Sequence, residues 1–333
     1  MAYIGSVFEF SGASALKMNR VQFQPGLSLP EFYRPFGTEE QCAEALEQAR
    51  WPEGFRCPHC QSTAYYLLRG RPRKTFQCAA CRRQTSLIAG ILFQNTHLPL
   101  TLWFLAIYLV SEAKTGLSAL ALKRHLGVSY PTAWLLHHKL MQAMSERDAL
   151  YTLRGTVQVD DAYLGGERTG GKAGRGSENK IPFVAAVSMD DKNHPTFVKF
   201  SPVPGFTLTA IAAWAKDNLS PGGSVLSEGL DGFRAVTKAG CSHQAFVVGG
   251  KKPKELPEFH GVNTVLGNLK TSLAGTYHSF AFNKYGGRYL AEAAYRFNRR
   301  FRLDTLPLRL LVAAMACPPH TETWLRGQAE KSC

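Results

Sequence analysis

Two identical cysteine pairs constrain the fold of this 333-residue chain more than any other sequence feature. The motif "CPHC" carries Cys57 and Cys60, and the motif "CAAC" carries Cys78 and Cys81. Each pair offers two thiolates on a tight turn, and four thiolates complete a tetrahedral zinc site. The segment between the pairs alternates aromatic and apolar residues around a Gly-Arg-Pro-Arg-Lys turn, which predicts a β-hairpin. We therefore predict a zinc ribbon over 51–90, with a structural zinc ion replacing the core that so small a module lacks.

Other uses of these cysteines fit the spacing less well. Unpaired core cysteines or a redox pair are the alternatives, and two matched pairs disfavour both. His59 lies inside the first pair and is expected to be exposed rather than a ligand. A disulfide framework suits small secreted domains and not a chain of this size. The four other cysteines have no partner at ligand spacing, so no role is predicted for them: Cys42, Cys241, Cys317 and Cys333.

The charge balance favours a polyanionic partner. The chain has 39 Lys and Arg against 25 Asp and Glu, and six of these cations surround the predicted ribbon. Nucleic acid is the first candidate and an anionic membrane surface the second, while the alternative is a protein that is basic without such a partner. The most apolar run, 98–110, is too short to span a bilayer and predicts a buried helix. With no secretory signal visible, we expect a cytoplasmic protein and no membrane partner.

Residues 115–144 have the pattern of a helix-turn-helix. Ser118 can cap a first helix, a turn at "LGVS" follows, and Ser129 can cap a second helix with Pro131 in its first turn. In a helix-turn-helix the second helix enters the major groove of DNA. A helical hairpin in an ordinary core has the same glycine turn and is the alternative.

Side-chain directions on the second helix can be predicted from the same pattern. Tyr130, Thr132 and His137 are candidates for the exposed face, whereas Trp134 or Leu135 is expected to pack inward. Next to a zinc ribbon on a basic chain, these exposed side chains favour DNA binding.

The second half of the chain predicts a mixed five-stranded sheet covered by helices. The predicted strands are 156–166, "IPFVAAVSM", "PTFVKFSPV", "SVLSE" and 244–250, and the predicted helices are 207–219, "VNTVLGNLKTSLAG" and "GRYLAEAAYRFNRRF". A glycine-rich basic loop separates the first two strands.

Acidic residues at the ends of two predicted strands suggest a metal site. If the first and fourth strands lie side by side, Asp160 and Glu228 point to one place. Neighbouring carboxylates are costly unless a cation bridges them, and Mg²⁺ or Mn²⁺ is the expected cation. Two such ions can activate water and stabilise the leaving oxygen of a phosphodiester. Whether Glu228 or the nearby Asp231 is the working acid stays open on these grounds.

The chain resembles bacterial insertion-sequence transposases of the DDE class, in the branch with an N-terminal zinc ribbon and Asn at the third catalytic position. The similarity runs from about Met18 to about 312. It rests jointly on "RWPEGFRCPHC", "GLSALALKRHLGVSYPTAW", "VQVDDAYLGG", "VNTVLGNLKTSLAGTYH" and "YLAEAAYRFNRRF". The resemblance implies a ribonuclease-H-like catalytic domain. It also suggests that the 17 residues before Met18 precede the native start.

The resemblance implies a role for four residues. Asp160 becomes the first catalytic residue, with Asp161 on the opposite face of the strand. Glu228 takes the second position, where the family usually has Asp in Ser-Asp-Gly-Leu. Asn263 takes the third position and Lys270 is the companion lysine, placed to contact a DNA phosphate. The first and second residues and Asn263 are the expected magnesium ligands.

Three alternative assignments accompany these roles. Asn263 is also a good helix N-cap, and Asp231 is expected to cap the helix that follows Glu228. Glu292 is the rival third acid, but we expect a solvated or ion-paired surface residue among neighbouring arginines.

Together these inferences predict a multidomain, nucleoid-associated bacterial enzyme. The expected parts are a lead-in (1–50), the zinc ribbon (51–90), the helix-turn-helix region (91–148), the ribonuclease-H-like domain (152–312) and a tail (313–333). The expected activity is binding of the element's terminal inverted repeats, metal-dependent cleavage and transfer of the 3′-hydroxyls to target DNA. A homodimer or larger assembly is expected on paired ends. The alternatives are a DNA-binding regulator that has lost catalysis and a ribonuclease-H-like nuclease.

Overall fold

The structure is a computed structural model that describes residues 21, 23–165, 180–246, 256–277 and 280–327. The predicted glycine-rich loop falls largely within 166–179 and therefore lies outside the described residues, as do 247–250 of the predicted fifth strand. None of the helices in the described part of the chain is long and apolar enough to cross a membrane.

The N-terminal part joins two short helices to a small antiparallel sheet. Helices α1 (Leu29–Phe36) and α2 (Glu39–Arg50) both begin with a capping box. They are followed by β1 (Tyr65–Leu67), β2 (Thr75–Cys78) and β3 (Gln84–Ser86), which pair in the order β1-β2-β3. The predicted hairpin is therefore confirmed, and a third strand completes it.

Three helices follow the ribbon. Helix α3 (Leu100–Glu112) is the predicted buried apolar helix, and α4 (Ala119–Leu126) and α5 (Tyr130–Ala149) form the predicted helical pair. Ser118 accepts a hydrogen bond from the N–H of Ala121, and Ser129 accepts one from Thr132, so both predicted caps are present. Gly127 ends α4 with a φ of 66°, a conformation that glycine adopts at little cost.

A five-stranded mixed sheet forms the second half. Strands β4 (Thr156–Leu164), β5 (Ile181–Met189), β6 (Pro195–Pro202), β7 (Ser224–Glu228) and β8 (Ser242–Phe246) are arranged in the order β6-β5-β4-β7-β8. The pairs β4/β5 and β5/β6 are antiparallel, and β4/β7 and β7/β8 are parallel. This order with these directions is the ribonuclease-H-like arrangement, as predicted. The fifth strand starts at Ser242, two residues before its predicted start.

Helices cover both faces of this sheet. Helix α6 (Leu208–Asn218) and a 3-10 helix (Asp231–Ala239) pack on the face that carries Val157 and Val159. Helices α7 (His260–Thr276) and α8 (Phe282–Asn298) pack on the opposite face, which carries Ala162 and Leu164. Successive side chains of a strand point to opposite faces, so even-numbered residues of β4 face α7.

The C-terminal end of the described chain returns to the N-terminal part. Helix α9 (Leu306–Ala316) packs between α3 and α5, and α10 (Glu322–Gly327) packs on α5. One continuous core contains Phe76 of the ribbon, Leu140 of α5, Tyr295 of α8 and Leu310 of α9. Residues 313, 314 and 317, assigned to a tail on sequence grounds, are buried in this core.

Candidate functional site

The four cysteines of the ribbon form a compact cluster. The Sγ atoms of Cys57 and Cys81 are 3.7 Å apart, and those of Cys60 and Cys78 are 3.5 Å apart. Four sulfurs around a tetrahedral zinc ion at 2.3 Å lie about 3.8 Å from one another. All four ligand atoms lie within 4.8 Å of one another. The cluster therefore fits a structural zinc ion, and His59, exposed as predicted, is not part of it.

Backbone geometry makes the two cysteine pairs equivalent. The residue after each pair, Gln61 or Arg82, has a φ near 60° and donates its N–H to the carbonyl of the first cysteine. The N–H of Cys81 also points at the Sγ of Cys78, at 3.5 Å, and this hydrogen bond is the largest of several that lower the pKa of Cys78 to about 6. Thiolates are the form that binds zinc, so the turn prepares Cys78 as a ligand.

The basic residues around the ribbon fall into two groups. Arg73 pairs with Glu39, and Lys74 pairs with Glu47, so these two cations attach the ribbon to α2. The four others are exposed: Arg69, Arg71, Arg82 and Arg83. The neighbouring strand β1 exposes Tyr66 and Leu67 at 60% and 51%. Of the six cations predicted around the ribbon, four are therefore exposed and two pair with acids of α2.

The helical pair places a limited set of side chains at the surface. Tyr130 is 48% exposed at the start of α5, and Trp134 is buried as predicted. His137, expected at the exposed face, is 0% exposed because α8 packs against this part of α5. Its ring faces Glu292 and Tyr289 of α8. In the N-terminal half of α5, the exposed residues are therefore those of the first turn, Tyr130 and Pro131.

Asp160 and Glu228 lie at adjacent positions of neighbouring strands. Strands β4 and β7 are parallel and pair Gln158 with Leu226 and Val159 with Ser227. The next positions in this register are Asp160 and Glu228. Both have the parity of the residues that face α7, and both are half-buried. The two acids therefore lie next to each other on neighbouring strands, as predicted.

The pKa of Asp160 reflects this crowding. Burial is the largest cause, and the neighbouring charges of Glu228 and Asp161 add to it, which raises the pKa to about 7. Lys270 acts in the opposite direction through its positive charge. A carboxyl group surrounded by like charges is easier to ionise when a cation is present. The surroundings of Asp160 therefore suit a divalent cation.

Helix α7 lies over these acids and carries Asn263 and Lys270. The buried side chain of Gln158 accepts a hydrogen bond of 2.9 Å from the N–H of Val262 and so attaches the start of α7 to β4. Gly261 sits where a Cβ would lie 2.8 Å from the Gln158 Oε1, so the helix approaches the strand closely. Sequence reasoning missed Gln158, although a polar residue among the valines of a predicted buried strand was a signal.

Asn263 lies inside α7 and does not cap it. The helix begins at His260 after Phe259, so the N-cap alternative is wrong. The buried Nδ2 of Asn263 has no hydrogen-bond partner among the described residues. An unsatisfied buried amide N–H costs about 1–3 kcal/mol, and a hydrogen-bond acceptor on a bound partner would remove that cost. Lys270, exposed, is seven residues and two helical turns further along the same face.

Two predictions about nearby acids are wrong. Asp231 does not cap the 3-10 helix, whose N-cap is Leu230; it is the first helical residue and pairs with Arg234 at 3.3 Å. Glu292 is not a surface residue. It lies on α8, is 0% exposed, and is covered by α5 and Tyr277. The ion-paired part of that prediction holds, since Arg296 Nη1 lies 3.3 Å from Glu292 Oε1.

An open groove of about 780 Å³ lies elsewhere, between α5, β6 and α8. Lys199, Lys284 and Arg288 line it, and neither Asp160 nor Glu228 is among its described lining residues. The acids instead lie on the inner strands β4 and β7, with the positive charge of exposed Lys270 nearby.

Two family models match parts of this chain. Residues 152–298 match the family model of the ISXO2-like transposase domain, and 37–84 match that of the transposase zinc-ribbon domain. A relative from Halobacterium salinarum, named "Uncharacterized protein in transposable element ISH50", is 25% identical over 235 residues, 65% of this chain and 76% of the relative. A solved pre-cleavage Mos1 transpososome aligns with 65% of this chain and 79% of its own chain, at 10% identity and a TM-score of 0.24, too low to support an argument.

Proposed function

Because the chain belongs to the insertion-sequence transposases that carry a transposase zinc-ribbon domain and an ISXO2-like transposase domain, we propose that it cleaves and joins DNA. It binds the terminal inverted repeats of its element, cuts at their ends and transfers the 3′-hydroxyls to target DNA. Such a protein works on nucleoid DNA in the cytoplasm. Two ends handled together call for two or more copies of the chain.

The observation that carries this proposal is the adjacent placement of Asp160 and Glu228 beneath α7. Two carboxylates in parallel register, one with its pKa raised to about 7, are unfavourable without a counterion and suit Mg²⁺ or Mn²⁺. Bound there, the metal would supply Lewis-acid activation of water and of the phosphodiester. Asn263 completes the ligand set with an amide oxygen, which is a weaker ligand than a carboxylate but still a hard one.

The remaining residues position the DNA. Lys270 is exposed on α7 beside the acids, where its ammonium group can contact a phosphate of the strand to be cut. Gln158 holds the start of α7 against β4 and so fixes the distance between the residues of the helix and those of the strand.

Two exposed surfaces of the N-terminal part are proposed to bind the terminal repeats. The first turn of α5, with Tyr130, can read base edges, and the basic end of α4, with Lys123 and Arg124, can contact the phosphates beside it. The exposed arginines of the ribbon lie beside aromatic Tyr66, a combination suited to nucleic acid.

A strand-transfer assay tests the proposal directly. Labelled repeat ends with Mg²⁺ or Mn²⁺ should give cleaved and joined products, and Asp160→Asn should bind the ends but give neither product. Asp231→Asn, an exposed acid three residues beyond Glu228, is the matched control and should retain activity. Cleavage that persists in Asp160→Asn would contradict the proposed site.

A second function, a DNA-binding regulator, is favoured by one specific feature. Glu228 is one methylene longer than the aspartate usual at this position, and magnesium sites for phosphoryl transfer tolerate little displacement. Binding of the repeat ends without any cleavage by the wild type would support the regulator. Hydrolysis without joined product would instead support a nuclease.

A further inference from the structure

A second group of metal-ligand side chains lies where α9 meets α5. Glu146 on α5 and Cys317 and His320 after α9 each offer one ligand atom, and these three atoms lie within 4.8 Å of one another. The Nε2 of His320 is 2.6 Å from the Oε1 of Glu146. Sequence spacing could not find this cluster, because Glu146 is remote in the chain and a single Cys-x-x-His motif is weak evidence.

The segment that carries two of these groups is short and held in place. Cys317 caps α9, and its N–H donates to the carbonyl of Ala313 at 3.0 Å. Pro318 and Pro319 restrict the backbone between Cys317 and His320. The ring of His320 stacks on Trp324, with 3.9 Å between the ring centroids. The ligand side chains are therefore oriented before any ion binds.

The cluster is buried on the side of Cys317 and His320 and partly exposed to solvent on the side of Glu146. Cys317 is 2% exposed and the side chain of His320 is 9% exposed, whereas that of Glu146 is 32% exposed. The open side at the carboxylate allows a water molecule to complete a fourth position. Gln142 donates to the Oε1 of Glu146 at 3.0 Å and orients this carboxylate, as residues around metal ligands commonly do.

We propose that Glu146, Cys317 and His320 bind a second zinc ion, separate from that of the ribbon. One thiolate, one imidazole and one carboxylate are all common zinc ligands. Ligand atoms around tetrahedral zinc lie about 3.3–3.8 Å apart, so His320 and Glu146 need to separate by less than about 1 Å. The thiolate and the carboxylate together balance the 2+ charge of the ion. This balance is needed because buried Lys139 already places a positive charge near Cys317.

The metal-free alternative is a buried histidine–glutamate hydrogen bond beside a neutral thiol. Burial, followed by the hydrogen bond and charge of Glu146, raises the pKa of Cys317, so the thiol would keep its proton. Zinc binding would displace the proton of Cys317 and replace the hydrogen bond between His320 and Glu146. The two states differ in metal content, which can be measured.

A zinc ion here would fix the C-terminal segment on the helix that we propose reads DNA. Beyond His320, Arg326 of α10 lies over the ring of Trp134 on α5, 4.1 Å from its centroid. The carbonyl of Leu325 accepts a hydrogen bond from Arg288 of α8. The ion would hold α10 between α5 and α8, independently of whether the proposed catalysis occurs.

Zinc content per chain tests the proposal. Elemental analysis of the purified full chain should find two zinc ions in the wild type and one in Cys317→Ser and His320→Gln. The matched control Cys241→Ser, which removes another buried cysteine, should retain two. Glu146→Gln keeps the volume at the half-exposed position, so it provides a folded variant, verified by circular dichroism, that should also hold one. One zinc ion in the wild type, or two in folded Glu146→Gln and His320→Gln, would overturn the proposal.

A second measurement reports on the position of α10. Trypsin should cleave after Arg326 more slowly in the zinc-loaded wild type than in His320→Gln, because the ion holds this segment on α5. Cys241→Ser, at a buried cysteine in a separate core, should be cleaved at the wild-type rate. Equal cleavage rates in the wild type and His320→Gln would contradict the proposed attachment.

Discussion

The side chain of Gln158 on β4 accepts a 2.9 Å hydrogen bond from the backbone N–H of Val262 on α7. Gln158 lies two residues before Asp160, and Val262 lies directly before Asn263. This hydrogen bond therefore joins the strand and the helix that supply the proposed metal ligands. It is a buried contact between a side chain and a helix that has no side-chain N-cap.

Replacement of Gln158 should therefore impair activity without removing any ligand. In Gln158→Leu the N–H of Val262 loses its partner, which costs about 1–3 kcal/mol, and α7 shifts relative to β4. A displacement near 1 Å can lower the rate roughly a hundredfold. We expect strand transfer to fall by about that factor while binding to the repeat ends persists. Gln48→Leu, at an exposed position of α2, is the control; equal activity in both variants would show that the bond does not position α7.

Because the pKa of Asp160 is raised, we expect the free energy of unfolding to depend on pH. A bound divalent cation should remove this pH dependence. The folded state holds the proton of this carboxyl group up to about pH 7, whereas the unfolded chain releases it near pH 3.9. Stability is therefore lost as pH rises between these values, by up to about 4 kcal/mol at pH 8. Asp160→Asn should be more stable than the wild type at pH 8 and equal to it at pH 4 in urea unfolding without divalent ions.

The same urea unfolding experiment can be repeated with Mn²⁺ added. At pH 8 it should stabilise the wild type and leave Asp160→Asn nearly unchanged, which narrows the difference between them. A stability difference that is independent of pH would mean that Asp160 is not the group that titrates.

Substitution of Glu228 by Asp should raise the rate of cleavage. The shorter side chain moves the carboxylate back by one methylene, toward the geometry that magnesium prefers in phosphoryl transfer. Glu228→Ala should lose metal binding and cleavage altogether. Cleavage and Mn²⁺ binding by wild type and variants would be compared under identical conditions. Loss of metal binding in Asp231→Ala but not in Glu228→Ala would reverse the assignment.

The ribbon cysteines and the histidine between them should behave differently. Cys60→Ser should lose the ribbon zinc and lower the melting temperature of the whole N-terminal part, since the ribbon shares one core with α3 and α5. His59→Ala should retain both zinc content and melting temperature, because this residue is exposed and outside the cluster. Loss of zinc in His59→Ala would place the histidine among the ligands.

Glu292 should matter for stability rather than for metal binding. It is buried with Arg296 and accepts a 2.5 Å hydrogen bond from Tyr277, and loss of its charge leaves Arg296 without a counterion. Glu292→Gln should lower the free energy of unfolding by about 3–5 kcal/mol. The exposed pair Arg302–Asp304 offers a control, since Asp304→Asn should change it by less than about 1 kcal/mol. Weaker Mn²⁺ binding in a folded Glu292→Gln would restore Glu292 as a rival ligand.

Local sequence patterns determined most of the architecture correctly. The cysteine pairs, the caps at Ser118 and Ser129 and the alternation of Val157 and Val159 in β4 each depend on neighbouring residues alone, so they can be recognised without tertiary information. The adjacency of Asp160 and Glu228 followed from the strand order, which few topologies satisfy.

The errors concern side chains whose surroundings come from remote parts of the chain. His137 has the spacing of an exposed residue on α5, but α8, far along the chain, covers it. The arginines near Glu292 in the sequence suggest a solvent-exposed helix face. In the structure, however, one of them, Arg296, and His137 of α5 pack against Glu292 and bury it. Asp231 was expected at an N-cap because the start of a short 3-10 helix is hard to locate within one residue.

The burial of α9 between α3 and α5 also bears on how the protein is made. The ribbon and the first five helices are synthesised early, but their core lacks Leu306, Leu310 and Ala314 until residues 306–314 have been synthesised. On the ribosome, the sheet strands therefore emerge while the amino-terminal half still exposes an apolar surface. A product that ended after the sheet would lack core residues of both halves, so we expect both halves to be less stable in it.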